Sequence, residues 1–406
     1  MKNLINIFKF ALFLGMAYTV GGPLMVGLTV AALMVAIAFG KPNAALTGVH
    51  RADVSPDVSK IQTYIGKVKK GIYSKLVNSM DIMKDITMVP NVKNTYITTE
   101  LVIKNGPKPY TGVFNPVGND IDYEPHTYTV QPFQRDLIID PRKYRTSHLA
   151  YERGPGESSK SNTIPFEQYT IKAILENDAA ILNDQTAWSG LGKAAFNAFN
   201  AGTVYNAGAK IKFTLNNEVQ YFIALATTVA GESPLTTPLK WADANALAIC
   251  EGLGTIIKAG RDSGDIKNII SSAGKSEYEL FKAVFRKHSD ARKALGVQIY
   301  SGSAKMEALM DDFENKVGKY TENDGSGKIY LANTNKKAEL VSATWMSKTN
   351  MILSGPRLNF LGLTDEVSDF NTVNVIPDVY TLKMGVAGVL GFGYQDGREI
   401  VITDQD

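Results

Sequence analysis

Two β-rich runs, residues 92–104 and 126–140, flank a stretch that offers few apolar anchors. The first run is dense in Thr, Ile, Val and Tyr, and the second reads HTYTVQPFQRDLIID; both compositions favour extended chain. Asn105-Gly106-Pro107-Lys108-Pro109 is a turn cluster, and residues 110–125 hold Gly112, Asn115, Pro116, Gly118, Asn119, Asp120 and Pro125. The pattern predicts two long strands joined by an irregular tip. A lone pair of strands has too little apolar surface to offset the entropy lost in ordering it. Such an arm has to lie on another surface, in its own chain or on a neighbour.

A second constraint sits at the N-terminus. Residues 10–40 contain no Asp, Glu, Lys or Arg, with Lys2 and Lys9 before the run and Lys41 after it. That length exceeds the ~20 residues a helix needs to cross a bilayer. Gly21-Gly22-Pro23 would break or kink such a helix at its middle. Three readings stand side by side: a span or hairpin in a membrane, a signal peptide with Asn43-Ala44-Ala45 near the cleavage region, and an apolar tail that packs against other subunits or is removed on maturation.

The remaining chain alternates helix and strand signals in blocks. Apolar residues recur at helical spacing over 56–85 (Val58, Ile61, Ile65, Val68, Ile72, Leu76, Met80). Residues 154–161 read as a flexible loop. The best helix follows, with Thr163 as N-cap, Pro165 in the first turn, a stripe of Ile171, Ile174, Leu175, Ala179 and Leu182, and Trp188-Ser189-Gly190 as its end. Residues 210–215 and 219–228 read as strands. Further helices are predicted over 243–259 with Asp243 as cap, over 276–295 with the capping box Ser276/Glu279, and over 303–320. Short strands are expected at 328–332, 339–344, 351–354 and 358–361, and closing strands at 379–392 and 399–403. Helices set apart from antiparallel-looking strands define an α+β chain.

Composition excludes several functions. Lys+Arg 43 against Asp+Glu 40 gives +3, too little to track a nucleic-acid backbone. One cysteine, Cys250, rules out an intrachain disulfide framework, and four scattered histidines (His50, His126, His148, His288) leave little for a metal centre. No phosphate loop, zinc-protease motif, Cys-x-x-Cys or nucleophile elbow is present. The densest glycine run, residues 385–393, has no helix after it and reads as a strand with close neighbours. Asp311-Asp312 with Glu314 reads as a solvated helix face, residues 322–327 as a turn, and Cys250 as a buried thiol on a helix face. No catalytic constellation emerges, no cofactor is implied, and the chain is not read as an enzyme.

The order of elements, a long two-stranded arm, a loop, a long helix, strands, a helix cluster and a final pair of strands, resembles the Hong Kong 97-type major capsid protein of tailed phages. Local stretches resemble capsid-like proteins of Bacteroidetes phages and prophages: Asp140-Pro141-Arg142, Ile164-Pro165-Phe166-Glu167-Gln168-Tyr169, residues 183–190, residues 351–365 and residues 385–396. The resemblance covers roughly residues 90–402. It implies an apolar extension (1–45), an N-terminal arm with a helix (46–91), an extended β-hairpin loop and connector (92–163), a peripheral domain with a spine helix (164–240), an axial domain (241–370), and C-terminal strands returning to the peripheral domain (371–406). It also implies self-assembly into pentamers and hexamers of an icosahedral head in the virion, around non-specifically held double-stranded DNA. A scaffold, a portal and a maturation protease are the further partners it suggests.

The loop residues expected to meet a neighbour are Lys104, Lys108, Tyr110, Phe114, Tyr123 and Tyr128, and a lysine near the tip could form a covalent cross-link. Phe166, Tyr169, Ile174 and Trp188 mark the spine helix. The alternative reading is a membrane-anchored or exported surface protein held through residues 10–40. An enzyme, for which the residues offer no constellation, ranks third.

Overall fold

The computed structural model describes residues 80–114, 121–139, 166–316, 318, 328–365, 373–377 and 381–406. The apolar run at 10–40, most of the helix expected over 56–85, the loop at 154–161 and the turn at 322–327 lie outside the described residues. So do Thr163 and Pro165 before the long helix. Among the described residues, no helix is long and apolar enough to cross a membrane.

A one-turn helix, Ile82–Asp85, leads into β1 (Thr87–Val89), β2 (Thr95–Ile103), β3 (Ile121–Thr129) and β4 (Gln131–Ile139). The long helix Phe166–Ile181 ends in a π-helical turn, Leu182–Thr186. Four strands follow: β5 (Asn197–Ala198), β6 (Lys210–Leu215), β7 (Glu218–Ala224) and β8 (Trp241–Asp243). Helix Leu253–Ser263 precedes β9 (Asn268–Ile270), helices Glu277–Lys287 and Asp290–Leu295, β10 (Val297–Ser301) and helix Ser303–Lys316. Strands β11 (Ile329–Tyr330), β12 (Ala338–Ser342), β13 (Leu353–Gly355), β14 (Phe360–Thr364), β15 (Val373–Pro377), β16 (Leu382–Tyr394) and β17 (Val401–Thr403) complete the chain.

Two sheets organise the α+β body. In the first, β16 is the axis: β4 pairs along one edge from Leu382 to Leu390, while β15 and β14 share the other edge end to end. β1 adds to β14 in parallel. Buried Leu361, Leu363, Leu390 and Phe392 join Leu175 of the long helix, Leu182 of its π-helical end and Trp188 of the turn after it in the main core. Full burial of each such side chain contributes about 1.5–3 kcal/mol. The second sheet runs β11-β12-β10-β13-β17-β9. It packs on helices Glu277–Lys287 and Ser303–Lys316 through a separate core of Phe281, Val284, Ile299, Leu309, Phe313 and Ile352.

Four expectations are corrected. The run at 126–140 is two strands: the hairpin's return strand begins at Ile121, and the chain turns at Val130 so that β4 belongs to the first sheet. Residues 243–252 are not helical. Asp243 ends β8, and Cys250 is buried in irregular chain before a helix that starts at Leu253. The helix at 276–295 divides at His288, because Ser289 caps a new helix by accepting from the Arg292 N–H (3.3 Å). The closing strands part company: β16 stays in the first sheet, whereas β17 pairs with β13 and β9 in the second.

Candidate assembly arm and its root

Strands β2 and β3 pair antiparallel from Thr95↔Thr129 at the base to Ile103↔Ile121 at the far end. Nine residues at about 3.4 Å each carry the ladder roughly 30 Å. Residues directly opposite in such a pair share a face. One face therefore presents Tyr96 with Tyr128, Thr98 with His126, and Glu100 with Glu124. The other presents Ile97 with Thr127, Thr99 with Pro125, Leu101 with Tyr123, and Ile103 with Ile121.

The first face is rooted on the body. Tyr128 is 8% exposed and lies against Gly393 of β16, where an added Cβ would come within 2.6 Å of the Tyr128 ring. Gly391 meets Val130 in the same way, at 3.0 Å. Glycine at these positions of β16 is thus what lets the arm's base lie directly on the strand. Tyr128 and Tyr394 meet edge to face at 5.8 Å, and burial pushes the Tyr128 phenol up and that of Tyr394 up to about 12. Tyr128, expected among the outward contacts, is instead a root residue, because its even place in the strand turns it inward.

A charged clasp continues the root. Glu100 is 5% exposed, accepts from the Gly397 N–H at 3.2 Å and pairs with the Arg398 guanidinium. Arg398 also donates to the Leu101 carbonyl (3.0 Å) and to Asp396 (2.9 Å), so one side chain ties β2 to the turn after β16. Burial disfavours the charge on Asp396, but the bonds from Arg398 outweigh it and hold the carboxyl below the usual carboxylate range. Thr98 donates to the Tyr394 carbonyl at 3.4 Å, and His126 sits 5.4 Å from the Tyr394 ring.

The second face is open. Ile97, Leu101, Ile103, Ile121 and Tyr123 are all exposed large apolar residues along one side of the ladder. Beyond it, Tyr110 is 97% and Phe114 93% exposed, with Val113 between them. Lys104 pairs with Asp122 at 3.1 Å across the ladder's end, and Lys108 is exposed nearer the tip. The structure thus brings Lys104, Tyr123, Tyr110, Phe114 and Lys108 onto one projecting limb and separates Tyr128 from them.

The spine residues divide similarly. Phe166 and Tyr169 lie in the first turns of the long helix, with side chains outside the described residues. Ile174 is half-buried, and buried Trp188 packs on Trp345 with ring centroids 5.6 Å apart. Arg135 of β4 reaches Asp178 on this helix at 3.7 Å. Glu100, Arg398 and the apolar face at 97, 101 and 103 carry no role in the sequence analysis, whereas the glycine run that holds Gly393 was expected to have close neighbours. The alternation over 97–103 carried that signal, since every second residue is apolar or Thr while Glu100 falls on the opposite side.

Among the described residues, no group of three or more His, Cys, Asp or Glu could hold a metal ion. The Cys250 thiol is buried and its pKa is pushed up by burial, which suits a structural role.

No protein-family model and no curated protein matches the chain. Solved structures similar to it include a chain of the satellite phage P4 procapsid including size determination protein, at 10% identity and TM-score 0.43, covering 85% of this chain and 95% of that one. The capsid of a native GTA particle gives 10% identity and TM-score 0.42, over 80% and 89%. The SrpI encapsulin of Synechococcus elongatus gives 9% identity and TM-score 0.41, over 80% and 86%.

Proposed function

We propose that this chain is the structural subunit of a phage shell, of the Hong Kong 97-type that its element order resembles, and that the β2–β3 arm lies over a neighbouring copy. One observation carries the reading: a ladder roughly 30 Å long is clasped to its own body on one face and leaves Ile97, Leu101, Tyr123, Ile103 and Ile121 uncovered on the other. A contiguous apolar face of this kind marks an interaction site. A second copy supplies a fitting cover, because a heterologous contact repeated around a ring closes it into pentamers and hexamers.

In this reading the first sheet with the long helix is the peripheral domain and the second sheet with its helices is the axial domain. Lys104, Lys108, Tyr110, Phe114 and Tyr123 make the inter-subunit contacts. The shell is that of a virion enclosing double-stranded DNA without sequence readout, and the chain's role is structural rather than enzymatic. A scaffold, portal and maturation protease belong to the same proposal.

Negative-stain microscopy and analytical ultracentrifugation of the purified full chain test it. Rings, sheets or closed shells are expected. The double variant Leu101→Asp/Tyr123→Asp should keep the protomer's circular dichroism and lose those assemblies. A wild-type chain that stays monomeric across concentration and salt, or a double variant that assembles unchanged, would overturn the proposal.

A further inference from the structure

We infer that residues 191–251 form a self-contained module inserted into a relay of two helices, and that the body folds without it. The inference concerns the chain's other excursion from the body and stands apart from the role of the arm.

The relay is visible in the backbone. A helix normally leaves its last carbonyls and first N–H groups without partners. Here carbonyls of the turn just after the long helix meet the first N–H groups of the next. The Leu253 N–H donates to the Ala187 carbonyl (2.8 Å), the Gly254 N–H to Trp188 (3.1 Å), and the Gly252 N–H to Gly190 (2.9 Å). Thr255 Oγ1 adds a bond to the Gly190 carbonyl at 2.6 Å. The turn that follows the long helix thus satisfies the first N–H groups of helix Leu253–Ser263. Sequence neighbours would ordinarily complete such a joint; here the partners are some sixty residues apart (by residue number, 190 to 252).

The chain leaves and returns through a neck with no room for side chains. A Cβ at Gly190 would lie 2.4 Å from the Cys250 carbonyl oxygen, and one at Gly252 2.5 Å from that of Thr186. Leu191 and Glu251 bridge antiparallel just outside it. Adjacent ends are the geometry under which a domain can be inserted into a host fold without disturbing it.

The module closes on itself. Phe199 stacks on Tyr205 (5.6 Å) and meets Phe213 (5.3 Å) and Trp241 (6.4 Å) edge on, over buried Ile211 and Ala224. A second small cluster joins Phe196, Ala244 and Ala248, with Tyr221 against it. Among the described residues, the hydrogen bonds, ion pairs and ring contacts of residues 191–249 run to one another, with the exceptions of Thr186 Oγ1 donating to the Ala246 carbonyl and of the bridge between Leu191 and Glu251. The main core takes Cys250 from this stretch, with Ile249 packed against it. The body therefore carries the module rather than being built from it. Another folded domain with adjacent ends could occupy the same neck.

The test excises residues 193–248 from the full chain and closes the gap with a four-residue Gly/Ser loop, which keeps Leu191, Ile249, Cys250 and the relay. A soluble product whose β14 and β16 amides keep their hydrogen-exchange protection within about threefold of the full chain supports the inference. Should the excised chain aggregate, native-state exchange of the unaltered chain in rising denaturant decides. Amides of β6 and β7 that open together at lower denaturant than those of β14 and β16 support it. Amides of all four strands that exchange in one common event overturn it. Neither readout depends on shell assembly.

Discussion

The arm and the inserted module both leave the body and come back, yet they solve the problem of stability in opposite ways. The module turns its aromatic residues inward: Phe199, Tyr205, Phe213 and Trp241 meet one another. The arm has two strands and nowhere to turn its second face, so Ile97, Leu101, Ile103 and Tyr123 stay open. What separates them is the number of layers. A four-stranded sheet with a covering loop can enclose a core, whereas a two-stranded ladder can bury only the face that lies on something else. The aromatic core of the first is complete when the chain folds, although Leu225, Val229, Leu235 and Leu239 stay exposed on it; the open face of the second is closed when a partner arrives.

The largest effect that would sharpen this contrast comes from Trp241→Ala. Truncating a buried Trp costs about 3–5 kcal/mol. If the module is its own unit, the loss falls on β6 and β7, whose exchange protection should drop by two or more orders of magnitude while β16 is unchanged. Equal loss in both would merge the module with the body.

Acid should act on the body at His288. His288 is buried between helix Glu277–Lys287 and the second sheet, with Nε2 2.8 Å from Ser354 Oγ. Ser354 Oγ in turn donates to the Gln298 carbonyl. Burial, with Arg292 and Lys293 nearby, lowers its pKa from 6.5 to about 4. The folded state thus binds the proton less readily than the unfolded chain. This contribution to stability is complete above pH 6.5 and is lost as pH falls toward 4. The linkage amounts to about 2 kcal/mol between pH 7 and pH 5. His288→Gln should flatten that difference in urea midpoints, and an unchanged difference would assign the acid sensitivity elsewhere.

Glu100→Gln addresses the clasp. It keeps an acceptor for the Gly397 N–H and removes the charge facing Arg398, at a cost of about 1–2 kcal/mol. Arg398 is part-exposed and retains Asp396, so the loss should remain local. Protease cleavage within the arm should speed up several-fold with the global melting midpoint unmoved. Smallest of all, Lys104→Ala removes an exposed pair with Asp122 and should change stability by under about 0.5 kcal/mol, an effect that vanishes in 0.5 M salt.

The sequence announced the arm more clearly than its attachment. Thr- and Tyr-rich runs around Asn105-Gly106-Pro107 mark a hairpin, because turn chemistry and β-propensity are local properties. That β4 would leave the hairpin at Val130 and pair along β16 is a tertiary matter. So is the partnership of Glu100 with Arg398, nearly three hundred residues away. The capping box at Ser276 was legible since both partners lie within four residues, and both of its bonds form.

The helix expected over 243–259 shows the opposite case. Ala244, Leu247, Ala248 and Cys250 mimic a helical stripe, yet they serve the module's lower cluster and the neck. The helix begins at Leu253 because the carbonyls of Ala187 and Trp188 wait there. β17 likewise chose its sheet through β13 and β9, and three residues of apolar chain hold no record of that choice.

The decisive measurement is a cryo-electron microscopy reconstruction of particles assembled from the full chain, read at Leu101, Ile103 and Tyr123. Side chains of another copy within about 4.5 Å of these residues, closing the open face, are the expected result. A particle in which that face is bathed in solvent, or is folded onto the protomer that owns it, would contradict the account.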